Sequence, residues 1–219
     1  MKAIVQAMLR RLALCLILGG VLFFGCSLAF SKDLDREETE AGKYAGAAMA
    51  QLREQIPETE SVPSTETEAE TVPETVSETV PETEVPTEAE TRPTIATGGI
   101  IYYGYVDIPA LGLSLPVQDA WDYEEARKSP CRYLGDAEGI LILAAHNYAE
   151  HFGRIGELSI GDAIRFTDGA GRVWNYQVAL IEVLGEYEVD RMEQTDYPLT
   201  LFTCNTYGDE RITVRCTRA

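Results

Sequence analysis

The nineteen residues LTLFTCNTYGDERITVRCT, at positions 199–217, contain two runs of β-branched and aromatic residues separated by a polar loop. The first run covers residues 199–203 and the second covers residues 211–217. Val, Ile, Thr and Phe are enriched in strands, and short runs of them bounded by turn residues are typical of β-structure. The stretch therefore predicts two strands joined by a short loop.

The same pattern recurs upstream. Further strand-like runs lie at residues 102–108, 113–117, 139–145, 163–166 and 173–183. Turn signals built from Pro, Gly and Asp separate them, and only residues 123–128 and 149–158 resemble brief helical turns. Seven or eight short strands at this spacing indicate an all-β barrel or sandwich rather than a βαβ fold.

An uncharged run of nineteen residues, LALCLILGGVLFFGCSLAF, occupies positions 12–30. At about 1.5 Å rise per residue, a helix of this length matches the thickness of a bilayer core. Basic residues precede the run and acidic residues follow it, so the positive-inside rule puts residues 1–11 in the cytoplasm and the rest outside. We therefore predict a single-pass membrane anchor. The alternatives are a cleaved signal peptide and a lipoprotein modified at Cys26.

Two segments separate the apolar run from the strands. Residues 31–56 are charged and rich in Ala, which predicts a helix just outside the membrane. Residues 57–97 consist largely of Pro, Glu, Thr and Val, a composition that buries too little apolar surface to offset the entropy of ordering. We predict a disordered linker there and a folded domain over residues 98–219.

The formal net charge of −18 belongs mostly to this linker. Residues 54–90 contain twelve glutamates and neither Lys nor Arg. Acidic chains repel a phosphate backbone rather than release its counterions, so we exclude nucleic acid as a partner. The charge says little about the substrate.

Five cysteines are present, and two of them lie inside the N-terminal apolar run. The folded domain keeps Cys131, Cys204 and Cys216, an odd number that leaves at least one thiol unpaired in an exported protein. A disulfide between Cys131 and Cys216 is possible, because sequence spacing does not determine connectivity. The unpaired thiol is a candidate reactive group.

Three residues of reactive types lie at the ends of predicted strands. His146 follows the apolar strand at residues 139–145, Cys204 ends the run at 199–203, and Arg211 opens the last strand. Functional side chains often occupy such positions, where a rigid scaffold meets a loop. If these strand ends meet on one face, the cysteine can attack a peptide carbonyl, the histidine can protonate the departing amine and the arginine can stabilise the oxyanion.

The motifs around these residues resemble those of one enzyme family, the sortases. Thr200-Leu201-Phe202-Thr203-Cys204 resembles the sortase Thr-Leu-x-Thr-Cys signature, and a short loop then leads to an Arg and a final strand, as in that family. Further resemblances, in the family's order, are GYVDIP (104–109) and LPV (115–117) for the opening strands, AHN (145–147) for the histidine site, and FGRI (152–155) with GD (161–162) after it.

The resemblance implies a sortase-type closed β-barrel of seven to eight strands with one or two short helices. It implies that Cys204 cleaves a C-terminal sorting signal of the Leu-Pro-x-Thr-Gly kind through a thioester, with His146 as general acid and base and Arg211 stabilising the oxyanion or substrate. Thr203 and Asn147 are expected to contact the substrate. Arg215, four residues after Arg211 on the same strand face, is the second candidate for the arginine.

The expected partners are surface proteins that carry a sorting signal, and an amine acceptor from a cell-wall precursor or a pilin lysine. No cofactor and no metal are expected. The resemblance favours a class A-like or class D-like enzyme over class B, placed at the outer face of a Gram-positive-like cell. The acidic side chains between positions 186 and 193 are interpreted as a solvated surface.

Two other functions fit parts of the sequence. An L,D-transpeptidase-like wall enzyme would use Cys216, since Cys216-Thr217-Arg218 resembles a Cys-x-Arg motif, although no His-Gly pair precedes it. A non-catalytic binding module on a stalk would need neither His146 nor Arg211 near Cys204. We interpret His151 as a structural residue in either case.

Overall fold

The computed structural model of the chain describes residues 2–57, 60–61 and 92–219. Most of the linker predicted for residues 57–97 lies outside the described residues. The helices are α1 (Lys2–Gln55) and α2 (Val189–Glu193), with 3₁₀ turns at Pro109–Leu111, Glu125–Arg127 and Ile155–Glu157. The strands are β1 (Glu60–Ser61), β2 (Ile95–Thr97), β3 (Ile100–Ile108), β4 (Leu113–Gln118), β5 (Cys131–Gly135), β6 (Leu141–Ala144), β7 (Ala163–Asp168), β8 (Arg172–Gly185), β9 (Leu199–Cys204) and β10 (Glu210–Arg218).

Eight of these strands form a closed ring. Each pairs with the next in the order β8, β10, β9, β6, β5, β4, β3, β7, and β7 pairs again with β8. Neighbours are antiparallel except for two parallel pairs, β4 with β5 and β6 with β9. β1 and β2 pair with β8 and β3 outside the ring. The prediction of an all-β closed barrel of seven to eight strands is confirmed.

One strand of the ring, β5, was missed by the sequence pattern. Its five residues, CRYLG, are too short for a clear alternation. The strand is also irregular: it pairs with the next strand, β6, around an irregularity between Arg132 and Leu134, and it meets β4 at a single residue pair. The run predicted at residues 139–145 is a strand only over Leu141–Ala144, and the predicted helical turns are 3₁₀ turns.

The interior of the ring is filled by side chains. Tyr103 packs on Phe166 with ring centroids 5.0 Å apart. An eight-stranded barrel is just wide enough to be filled by side chains, and here the core residues fill it. A functional site must therefore lie on the outer surface or at the rim. Other members of this core are Val106, Ile108, Leu141, Leu143, Trp174, Tyr176, Leu201 and Val214.

The strand β6 is buried on both faces. Leu141 and Leu143 point into the barrel, and Ile142 and Ala144 point outward because side chains alternate along a strand. The outward pair joins a separate apolar cluster with Leu184, Met192 and Phe202. This outer apolar cluster lies on the outside of the barrel, near the ends of β6 and β9.

The last part of α1 packs against the outside of the barrel. Its apolar side chains recur at intervals of three and four residues, which places them on one face of the helix. They contact Tyr102 and Tyr105 of β3. Near the helix end, Arg53 forms an ion pair of 3.0 Å with Asp107. The buried helix residues are Ala41, Ala45, Ala48, Met49 and Leu52.

The anchor predicted for residues 12–30 falls on the backbone of α1, but several of its side chains lie outside the described residues. Over the part of the chain that is described, no helix is long and apolar enough to cross a membrane. The anchor stays a prediction.

Candidate active site

The parallel pairing of β6 with β9 brings His146 and Cys204 together. Ala144 is the register partner of Phe202 in this pair. His146 lies two residues beyond Ala144, and Cys204 lies two residues beyond Phe202, so both follow the same ends of neighbouring strands. Because side chains alternate along a strand, both also belong to the outward face, above the outer apolar cluster.

The neighbouring strand β10 supplies the third candidate. Arg211 is the register partner of Cys204 in the antiparallel pair of β9 and β10. Its Nη1 donates hydrogen bonds to the backbone carbonyl oxygens of Gly208 at 2.9 Å and Glu210 at 3.3 Å. The loop between the two strands thus holds the guanidinium close to the end of β9.

All three candidates line one pocket of about 260 Å³. Most of its wall is apolar and comes from three directions: the loop after β4, the ends of β5, β6 and β9, and α2 with the end of β8. Trp121, Tyr133, Val189 and Met192 contribute much of the apolar surface. The remaining lining residues are Tyr123, Ala144, Ala145, Leu184, Gly185, Glu186, Glu188 and Phe202.

The imidazole of His146 is enclosed by two tyrosines. Tyr148 stacks on it at 5.3 Å between ring centroids, and Tyr123 approaches edge-on at 5.4 Å. Burial lowers the pKa of His146, and a hydrogen bond to the backbone carbonyl of Tyr123 opposes this shift only in part. Within the described structure, Nε2 of His146 is buried and has no hydrogen-bond partner.

Cys204 differs from the other two cysteines of the domain. Cys131 and Cys216 are fully buried and free, and burial raises the pKa of each thiol to about 12. Cys204 is partly exposed in the pocket. Nucleophilic attack requires an accessible thiolate. The environment of Cys216 therefore argues against the alternative enzyme that would use it, and the possible Cys131–Cys216 disulfide is not formed.

Thr203 and Asn147 were expected to contact the substrate, but neither lines the pocket. Thr203 points to the opposite face of β9 from Cys204 and is buried. Its hydroxyl donates a hydrogen bond of 2.9 Å to the backbone carbonyl oxygen of Ala145. Asn147 is exposed and donates through Nδ2 to the backbone oxygen of Asn205 at 3.3 Å. Both hydrogen bonds link the loop after β6, which contains His146, to β9 and the residue that follows it.

Arg215, the second candidate for the arginine, is buried away from the pocket. It donates hydrogen bonds to Glu182 at 3.1 Å, to Thr200 at 3.1 Å and to the backbone oxygens of Arg191 and Met192 at 2.6 and 3.1 Å. The last two carbonyls belong to α2, so Arg215 holds in place the helix that forms one pocket wall. Arg211 is the arginine that reaches the pocket.

His151 is fully buried behind the pocket. Its ring lies 5.4 Å from that of Tyr148, the residue that stacks on His146. Burial, with a smaller contribution from His146, lowers the pKa of His151 to about 4. The ring is therefore neutral at physiological pH and does not line the pocket, in agreement with the structural interpretation.

Several pocket residues could not be identified from sequence. Tyr133 lies on the strand that the pattern missed, and Met192 lies on α2, which carries no motif. Trp121, in the loop after β4, lines the pocket with 42% of its surface exposed. For Trp121, the sequence signal is an aromatic residue shortly after a strand end, which is weak by itself. Tyr133 and Met192 carry no such signal.

Comparison with known proteins decides the family. The model of the sortase domain matches residues 106–219, just over half of the chain and nearly all of the barrel. The chain belongs to the sortase family. This sortase is therefore a cysteine transpeptidase, and its barrel is the sortase fold predicted from the motifs. No curated protein sequence matches it.

Solved sortase structures resemble this sortase over its barrel. Sortase C from Clostridium perfringens SM101 is 26% identical, with a TM-score of 0.47, and the alignment covers 54% of this chain and 70% of that one. A structure of Clostridium perfringens sortase C with the C-terminal cell wall sorting motif has 26% identity and a TM-score of 0.48, over 54% and 70%. Sortase C of Streptococcus pneumoniae has 24% identity and a TM-score of 0.48, over 54% and 68%.

Proposed function

We propose that Cys204 is the nucleophile of this transpeptidase, with His146 as general acid and base and Arg211 as the group that stabilises the oxyanion. The observation that carries the proposal is the shared pocket: the register of β6, β9 and β10 puts the three side chains at adjacent strand ends. The accessibility of Cys204, set against the burial of Cys131 and Cys216, supports the choice of sulfur.

In the first half-reaction, the thiolate of Cys204 attacks the carbonyl carbon of a substrate peptide bond and forms a C–S bond. Arg211 neutralises the negative charge that develops on the carbonyl oxygen. The C–N bond then breaks as the imidazolium of His146 gives its proton to the departing amine. The products are a thioester on Cys204 and a new N-terminus on the released peptide.

In the second half-reaction, an acceptor amine attacks the thioester carbonyl. His146, now neutral, takes the proton of that amine, the new C–N bond forms and the C–S bond breaks. The Cys204 thiolate and the His146 imidazolium are restored. The active form thus carries both charges. Because burial lowers the pKa of His146, only a fraction of molecules has this charge state at neutral pH.

The substrate we propose is a C-terminal sorting signal of the Leu-Pro-x-Thr-Gly kind on a surface protein. The apolar wall formed by Trp121, Tyr133, Val189 and Met192 suits an aliphatic side chain and a proline ring, which gain free energy by leaving water. A Clostridium perfringens sortase C structure is described as containing the C-terminal cell wall sorting motif. The acceptor is an amine of a cell-wall precursor or a pilin lysine.

We propose that the enzyme works at the cell surface, held by a single membrane span at residues 12–30 with residues 1–11 in the cytoplasm. The charge pattern around this apolar run supports that orientation. The assignment to a class A-like or class D-like sortase also stays a prediction.

The test is a single-turnover reaction of the full-length chain with a library of fluorogenic pentapeptides and an amine. The acyl adduct is located by mass spectrometry after proteolysis. We expect the adduct on Cys204, transfer to the amine, and loss of both in the Cys204→Ala variant but not in Cys216→Ser. An adduct on another residue would refute the assignment. Peptide binding without turnover by the wild-type chain would favour the binding-module alternative.

A further inference from the structure

Two loops hold the imidazole of His146. The first, residues 119–130 between β4 and β5, presents Tyr123, whose ring and backbone carbonyl both contact the imidazole. The second, residues 145–154 after β6, contains His146 itself and its stacking partner Tyr148. We call these the tyrosine loop and the histidine loop. The orientation of the imidazole depends on both.

The helix α1 contacts the tyrosine loop through two basic residues. Glu37 lies 3.6 Å from Nη1 of Arg127 in an ion pair. One and a half to two helical turns later, the ring of Tyr44 receives Nζ of Lys128 at 5.9 Å from its centroid. The Tyr44 hydroxyl also accepts a hydrogen bond of 3.4 Å from Tyr102 of the barrel. The helix is thus tied to this loop and to the strand beside it.

The same helix contacts the histidine loop. The carboxylate of Glu38 accepts a hydrogen bond from the backbone N–H of Ala149, three residues after His146. Glu37 and Tyr148 line one shallow cavity between the helix and the two loops. The side chain of Glu150 packs against Gly42, where an added Cβ would lie 3.0 Å from its Cγ. Residues 37–44 of α1 therefore touch both loops.

The helix itself is fixed on the barrel. Ala45 is buried and belongs to the main core cluster, which also contains Tyr103 of β3. Leu52 is fully buried further along. The contacts of residues 37–44 to the loops are thus made from a helix whose following turns are buried against the barrel.

We infer that residues 37–44 of α1 are a positioning element for His146: they hold the tyrosine loop and the histidine loop in the arrangement that orients the imidazole. The inference rests on the proposed role of His146. Part of the helical segment before the linker thus contributes to the arrangement of the active site. That segment lies outside the barrel and outside the matched sortase domain.

Charged residues near the imidazole affect the protonation of His146. Glu37 of α1 and Glu124 of the tyrosine loop favour the protonated ring, and Arg127 disfavours it. His151 is neutral. Cys204 and Arg211 line the same pocket as the imidazole of His146. Removal of Glu37 or of Arg127 therefore shifts the protonation of His146 in opposite directions, whereas both changes break the same ion pair.

The experiment uses the full-length chain in detergent micelles and the double variant Glu37→Gln/Glu38→Gln. Two quantities are measured against pH: kcat and KM for transpeptidation, and the rate of Cys204 alkylation by iodoacetamide. The contacts of Glu37 and Glu38 with the two loops are mostly exposed and therefore individually weak. We expect kcat to fall about three- to tenfold with little change in KM. The acidic limb of both pH profiles should move to lower pH, since the protonated ring loses a favourable charge.

Three further variants separate positioning from a general effect. Glu54→Gln removes one carboxylate from an exposed part of α1 that touches neither loop and should leave kcat and both profiles unchanged. Arg127→Gln should also lower kcat but move the acidic limb to higher pH. The exchange Glu37→Arg/Arg127→Glu restores the ion pair. It should recover most of the kcat lost in the single variants Glu37→Arg and Arg127→Glu.

Three outcomes would overturn the inference. The first is a wild-type kcat in the double variant. The second is a lower kcat that merely follows a loss of folded protein, with both pH profiles unchanged. The third is no recovery in the charge exchange. The alkylation profile needs no peptide substrate, so a failure of the proposed function, seen as no acyl adduct on the wild-type enzyme, is distinguishable from a failure of this inference.

Discussion

The hydroxyl of Thr203 donates a hydrogen bond of 2.9 Å to the backbone carbonyl oxygen of Ala145. Each of these residues is the immediate neighbour of a catalytic candidate, Cys204 on one strand and His146 on the other. The bond therefore joins the two parallel strands at the point where the thiol and the imidazole leave the barrel. It explains why a threonine precedes the cysteine here without contact to the pocket.

The first prediction concerns this bond. The Thr203→Val variant keeps the shape of the side chain but leaves the Ala145 carbonyl without its donor, which costs about 1–3 kcal/mol in a buried position. We expect kcat/KM to fall at least about tenfold, because the strand ends can separate. Thr203→Ser retains the hydroxyl and should keep most activity. Equal activities in the two variants would contradict the prediction.

The second prediction separates the two arginines of β10. Arg211→Ala should lower kcat by about 10²–10³-fold, as expected for loss of an oxyanion-stabilising group, with little change in the free energy of unfolding. Arg215→Ala should instead destabilise the fold by about 1–3 kcal/mol for each of the two backbone carbonyls of α2 that lose their donor. Glu182 loses one partner but keeps its ion pair with Arg191. Steady-state kinetics and urea unfolding of both variants provide the check. Reversed effects would exchange the assigned roles.

The third prediction concerns His151. Its pKa in the fold is about 4, below the usual value of 6.5, so the unfolded chain binds the proton more tightly. The stability contributed by the neutral ring is present above pH 6.5 and is lost as the pH falls through about 4, by up to about 3 kcal/mol.

The His151→Phe variant should therefore show a flatter decrease in the free energy of unfolding between pH 7 and pH 4 than the wild-type chain. Urea titrations at several pH values measure this. The substitution lies outside the pocket, so turnover at pH 7 should change little. A pH dependence equal to that of the wild type would show that another group controls the acid limb of stability.

The fourth prediction concerns the helix α1. Leu52 is fully buried against β3, so Leu52→Ala should lower the free energy of unfolding by about 2–5 kcal/mol. Leu34 lies on the same helix with 47% of its surface exposed, and Leu34→Ala is the matched control with almost no expected effect. Thermal melts of the two variants decide. An unchanged melting temperature for Leu52→Ala would show that the helix is not part of the cooperative unit.

Local sequence was sufficient for most of the strands and for the selection of the candidate reactive residues. Alternating β-branched and aromatic runs such as residues 211–217 carry their own strand signal, because the two faces of a strand meet different surroundings. Cys204, His146 and Arg211 could be selected because each follows or opens such a run and belongs to a recognisable motif. The strand β5 carried no comparable signal, since its five residues are too short for a clear alternation.

The sequence by itself determined that this protein has an all-β domain, a cysteine, a histidine and an arginine at strand ends, and an acidic linker composition before them. Only the tertiary structure decided which arginine reaches the pocket, that Thr203 links strands, and that α1 touches both loops around His146. These last features depend on strand register and on contacts between residues far apart in sequence. Side chains at positions 37 and 127 meet only once the barrel has closed, and no local pattern encodes that distance.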